Sequence, residues 1–108
     1  MRTGILLLTL ASAGGVAHAE DVAAGKAIYD DQCAKCHGVN GDGKGRAGKA
    51  LDPKPTDFTI AKFDDAYWIK IIKLGSKAVG KPNGMEPNPA LSDQQIRDVI
   101  AFCKSFKH

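Results

Sequence analysis

Residues 33–37 read Cys33-Ala34-Lys35-Cys36-His37. Two thiols three positions apart fall on one turn of backbone, and an imidazole follows at once. That is the attachment spacing of c-type haem. Each thiol can add across one porphyrin vinyl group to give a thioether, and the adjacent imidazole then lies beneath the iron as its proximal ligand. His37 has to follow Cys36 to reach the metal.

Upstream, residues 1–19 have the layout of a secretory signal. Arg2 supplies a positive start, Ile5 to Leu10 a short apolar run, and Ala17-His18-Ala19 small residues at both recognition positions. Cleavage is predicted between Ala19 and Glu20. A membrane span needs about 20 apolar residues, and the small, polar stretch from Ser12 to Gly15 interrupts the run. Of the 108 residues, 89 then remain as a single domain, residues 20–108, carrying 14 basic and 12 acidic side chains. A net charge of +2, mixed in sign, gives no electrostatic footprint for nucleic acid.

A chain this short usually needs a disulfide, metal or cofactor to complete its core. Here only 6% of residues are aromatic. Two other readings of the cysteine pair exist. A dithiol redox site belongs in a strand–helix context that is missing from the pattern. A zinc site needs a second pair of ligands, and the mature chain offers beyond the motif only Cys103 and the terminal His108.

After leader removal the one methionine is Met85, 48 residues beyond His37. It stands in a Pro- and Gly-rich stretch, Lys81 to Pro89, that regular helix excludes. An irregular loop suits presentation of a thioether to the second haem face; the other readings are a core-filling methionine and ligation by His108, the chain's last residue.

The flanks read as helices. Asp21 caps a first helix running to about Gln32, with Val22, Gly25, Ile28 and Tyr29 on its buried side. Gly38 to Thr59 reads as an extended loop around the cofactor. Asp64 or Asp65 opens a helix bearing Trp68, Ile71 and Ile72, which Gly75 stops. Ser92 and Gln95 form a capping box before a final helix with Ile96, Val99, Ile100 and Cys103 on one stripe and Phe102 and Phe106 beside it. No strand pattern survives.

From Gly25 to Phe106 the sequence resembles the class I c-type cytochromes, small bacterial single-haem electron carriers. The resemblance rests on Gly25 and Tyr29, eight and four residues before Cys33, on the Cys33–His37 motif, on Met85, and on Val99-Ile100-Ala101-Phe102-Cys103. It implies an all-α cytochrome c fold of three to four helices and long loops wrapped around one covalently attached haem c. Cys33 and Cys36 would carry the thioethers, with His37 as proximal and Met85 as distal iron ligand. Gly25 would allow close crossing with an aromatic on the last helix, a role that falls to Phe102.

The sequence departs from the family pattern in three places. The proline whose carbonyl often orients the ligand histidine is missing, since Arg46 follows Gly45, so another backbone carbonyl must serve. Glu86 stands where proline often follows the methionine. Cys103 occupies a usually aliphatic position and reads as a buried small hydrophobe rather than a dimer disulfide or a reactive thiol.

Six-coordinate iron leaves no position for substrate, so the expectation is a periplasmic one-electron carrier, monomeric and not an enzyme. A subunit of a larger periplasmic oxidoreductase is the alternative. A ligand sensor or peroxidase would require Met85 to leave the iron. Lys35, Lys70, Lys73, Lys77 and Lys81 form a candidate surface for acidic redox partners.

Overall fold

The computed structural model describes residues 19–107. The expected leader, apart from Ala19, and the terminal His108 lie outside the described residues. Among the described residues four α-helices follow in order, α1 (Val22–Gln32), α2 (Ala34–His37), α3 (Asp65–Leu74) and α4 (Asp93–Lys104), with 3-10 turns at Arg46–Gly48 and Ser76–Val79. The fold is all-α, with no strand among the described residues.

The Asp21 carboxylate accepts from the Ala24 N–H at 3.0 Å and starts α1. The face of α1 that meets α4 is Gly25 and Tyr29, one turn apart. A Cβ on Gly25 would lie 2.0 Å from the Asp98 carbonyl oxygen, so the two backbones touch at the crossing. The atoms nearest that position are backbone atoms of Asp98 and Val99. Phe102 packs on Tyr29, ring centroids 5.2 Å apart, and Phe106 does so at 5.3 Å. Val22, expected on the buried side, is 46% exposed. It is the first residue of the helix, on the face that Gly25 and Tyr29 continue.

The crossing is pinned by a carboxylate. Asp98, almost fully buried, accepts at Oδ1 from the Asp21 N–H (2.9 Å) and from Gln94 Nε2 (2.8 Å). The Tyr29 hydroxyl, itself buried, donates to the Gly38 carbonyl at 2.6 Å. This joins α1 to the loop beyond α2.

The capping box of α4 forms as read, with the Ser92 hydroxyl accepting from the Gln95 N–H and the Gln95 side chain accepting from the Ser92 N–H. Ile96, Val99, Ile100 and Cys103 are buried along one stripe. Helix α3 begins after Asp64 and ends at Gly75, whose φ of +83° favours glycine. Its Trp68 and Ile72 enter the core with Tyr29, Phe58, Leu91 and the α4 stripe. Two ion pairs tie α3 to α4, Lys104–Asp65 (2.9 Å) and Lys73–Asp93 (2.6 Å). Both are largely solvent-exposed and add little to stability.

Gly25→Ala is expected to lower the unfolding free energy by about 3 kcal/mol, because neither backbone can yield at the crossing. Gly80→Ala meets no atom within 4 Å of its Cβ and should cost only the left-handed penalty of about 1 kcal/mol. Guanidinium unfolding of the two variants measures the contrast.

Candidate haem site

The site is assembled at the end of α1. The Cys33 N–H donates to the Tyr29 carbonyl (2.9 Å), and the Cys33 carbonyl accepts from Cys36 (3.2 Å) and His37 (2.9 Å). Both thiols and the imidazole thus share one tight turn. Gly38, at φ +87°, ends it and sends the chain back over the turn. The N–H groups of Gly43 and Gly45 donate to the carbonyls of His37 (2.8 Å) and Cys36 (3.0 Å). A Cβ on Gly45 would lie 2.4 Å from the Lys35 carbonyl oxygen, so this approach requires glycine.

His37 is 8% exposed. Its Nδ1 lies 3.1 Å from the Thr56 carbonyl. That geometry assigns the proton to Nδ1 and leaves Nε2 free to bind a metal. The Phe58 ring stacks on the imidazole at 4.5 Å and 19°. Burial lowers the His37 pKa below its ordinary value, opposed by the bond to Thr56. The ring is therefore neutral around pH 7, the form that ligates iron.

Burial, with the neighbouring Cys36 and Asp31, pushes the Cys33 thiol up to about 11. A nucleophilic dithiol needs the opposite shift, so the environment speaks against the redox-dithiol reading.

Met85 is half-buried in the irregular segment after the Ser76–Val79 turn. Cys33, Cys36, His37 and Met85 all line one cavity of about 380 Å³, with Trp68 and Ile71 in its wall. A void of about 20 Å³ bordered by Phe58, Phe63 and Cys103 also touches Cys33, His37 and Met85. Two thiols, a neutral imidazole and a thioether on an apolar-walled cavity fit a porphyrin tethered at two points. Among the described residues no three His, Cys, Asp or Glu side chains cluster as a metal site. The donors therefore suit an iron whose equatorial ligands arrive with it.

The lysines divide. Lys35 and Lys81 line the cavity, as does Lys54 from the loop that follows the motif. Lys70 and Lys77 are exposed but do not line it. Lys73 is engaged with Asp93, whose pKa it lowers by hydrogen bond and charge. The structure adds two residues around His37 that the pattern did not single out. Thr56 acts through its backbone, which no side-chain pattern reveals. Phe58 carried one signal, a large aromatic in a loop of small and polar residues.

A family model for cytochrome c matches residues 22–107. The chain belongs to the cytochrome c family and is a class I c-type cytochrome, an electron-transport protein whose cofactor is covalently bound haem c. It is 34% identical over 94 residues to cytochrome c-554(547) of Halothiobacillus neapolitanus, covering 82% of this chain and all of that one. It is 33% identical to cytochrome c-555 of Chlorobaculum thiosulfatiphilum, over 76% of this chain and 92% of the relative. Among solved structures it is similar to a chain of the reducing HAO-like protein complex of Kuenenia stuttgartiensis, with TM-score 0.65 and 30% identity. That match covers 85% of this chain but 46% of the other, so this chain spans less than half of it.

Gly45→Ala is expected to cut haem loading about tenfold, because the added Cβ strikes the backbone of the attachment turn. The ratio of haem absorbance to protein in the purified variant, set against Gly80→Ala, checks this.

Proposed function

We propose that the protein is a periplasmic carrier that shuttles one electron through a haem with His37 and Met85 as axial ligands. The observation that carries this reading is the shared cavity lined by Cys33, Cys36, His37 and Met85. Bound haem supplies an iron that alternates between ferric and ferrous states. Cys33 and Cys36 anchor the cofactor through thioethers in a domain too small to enclose it by packing alone. Thr56 and Phe58 hold the His37 ring in one tautomer and one orientation. The soft Met85 thioether favours the lower oxidation state and raises the reduction potential, as does the apolar wall of Trp68 and Ile71. With His37 and Met85 both holding a porphyrin iron, no position would remain for a substrate, so the chain would transfer electrons without catalysing a reaction of its own.

Export rests on the layout of residues 1–19, with cleavage between Ala19 and Glu20 leaving residues 20–108 as the mature domain. Among the described residues no helix is long and apolar enough to cross a membrane. The likeness to a chain of a multi-protein complex favours a second reading, a permanently bound electron-transfer subunit. Gel filtration of a native extract separates the two, since a free carrier elutes near its monomer mass.

Met85→Ala is expected to abolish the sulfur-to-iron charge-transfer band of the ferric protein and to let the ferrous protein bind carbon monoxide. Unchanged ligation in that variant would remove the assignment. Partner docking makes a separate expectation. Lys35 and Lys81, on the cavity wall, attract an acidic partner, so oxidation by an anionic complex slows as salt screens them over about 10 Å. Reversing both charges to Glu should slow that oxidation about tenfold at low salt, with rates by stopped flow. Indifference to salt would reject the patch.

A further inference from the structure

Ser76 is 2% exposed, opens the Ser76–Val79 turn and lines the cavity. Electron transfer as described makes no use of it. Yet all three of its polar groups serve the segment that ends at Met85. Its N–H donates to the Met85 carbonyl at 2.8 Å, and its carbonyl accepts from the Lys81 N–H at 2.9 Å. Its hydroxyl donates to the Lys81 carbonyl. Gly84, the residue before Met85, packs against that hydroxyl so closely that a Cβ there would lie 2.7 Å from Ser76 Oγ.

A second anchor lies just beyond. Asn88 donates to the Ile72 carbonyl through both its backbone N–H (2.9 Å) and its Nδ2 (3.2 Å). Met85 is thus strung between two points, one at Ile72 in α3 and one at Ser76 in the turn just beyond it. Asn88 holds the far side and leaves the approach to Met85 free to open. Ser76 closes that approach, and a buried hydroxyl is costly to strand without its acceptor. Lifting residues 81–85 away from α3 would break the bond to Lys81 and leave this hydroxyl unpaired.

We propose that Ser76 is a positioning residue for Met85. By latching the 81–85 segment to the end of α3, it sets how readily the thioether is displaced from iron by a competing ligand. The inference rests on the reading of Met85 as distal ligand.

The test is an imidazole titration of the ferric holoprotein, followed by loss of the sulfur-to-iron band. Wild type is expected to show the band. Ser76→Ala should retain it and bind imidazole about tenfold more tightly, since losing one ordinary hydrogen bond shifts the on–off equilibrium of Met85 by about that factor. The control is Ser105→Ala, which removes a hydroxyl bonded to the Phe102 carbonyl at the end of α4 and should leave imidazole affinity unchanged. If Ser76→Ala fails to load haem, Gly84→Ala reads the same latch, because its Cβ displaces the hydroxyl, and tighter imidazole binding is again expected. Wild-type affinity in Ser76→Ala, or in Gly84→Ala where that variant stands in, overturns the inference, as does equal tightening in Ser105→Ala. A wild-type protein without the sulfur band overturns the Met85 reading instead, and the two failures are distinguishable.

Discussion

Where α1 crosses α4, the Gly25 Cα comes so near the Asp98 carbonyl that any side chain would collide with it. Almost everything else is referred to that contact. It brings Tyr29 fully into the core, against both Phe102 and Phe106. The register of α1 then puts Cys33 at the helix end, where the Tyr29 carbonyl receives its N–H. The Tyr29 hydroxyl reaches on to the Gly38 carbonyl, so one buried residue holds both ends of the attachment turn, the first through its backbone carbonyl and the second through its side chain. Asp98 reinforces the junction from α4 by accepting the Asp21 N–H. A buried carboxylate is tolerable there because it is hydrogen-bonded to the start of α1 and to its own helix.

The site uses backbone where a larger protein could use side chains. Residues 38–48 are rich in glycine, and their amides fold back onto the carbonyls of Cys36 and His37. The imidazole receives its orientation from the Thr56 carbonyl and its packing from Phe58 two residues on. Met85 is governed by the end of α3 through Ser76 and Asn88. His37 is therefore held by one continuous loop, whereas the Met85 segment is hydrogen-bonded to Ile72 in α3 and to Ser76 just beyond it.

Much of the fold was legible from local signals. The Asp21 cap, the Ser92–Gln95 box and the Gly75 stop each act within a few residues, through hydrogen bonds or dihedral limits that residue identity dictates. The α4 stripe was legible because helical periodicity forces Ile96, Val99, Ile100 and Cys103 onto one face. Val22 failed the same reasoning: periodicity puts it on the face of Gly25 and Tyr29, yet it is exposed at the helix start. Gly25 announced a close approach, but that its nearest neighbours are backbone atoms of Asp98 and Val99 had to come from the structure.

By itself the sequence determined the cofactor chemistry, since Cys33, Cys36 and His37 lie within five residues and their spacing alone matches two vinyl groups and an iron. It also singled out Met85, by leaving one methionine in a stretch that cannot be helix. Tertiary structure decided what faces what. The acceptor for His37 stands 19 residues away at Thr56, and any backbone carbonyl has the same chemistry, so only the path of the loop could select it. Likewise Lys54 and not Lys70 lines the cavity, and Lys73 is drawn to Asp93. Charge is carried by residue type, but the direction in which a lysine acts depends on the packing beneath it.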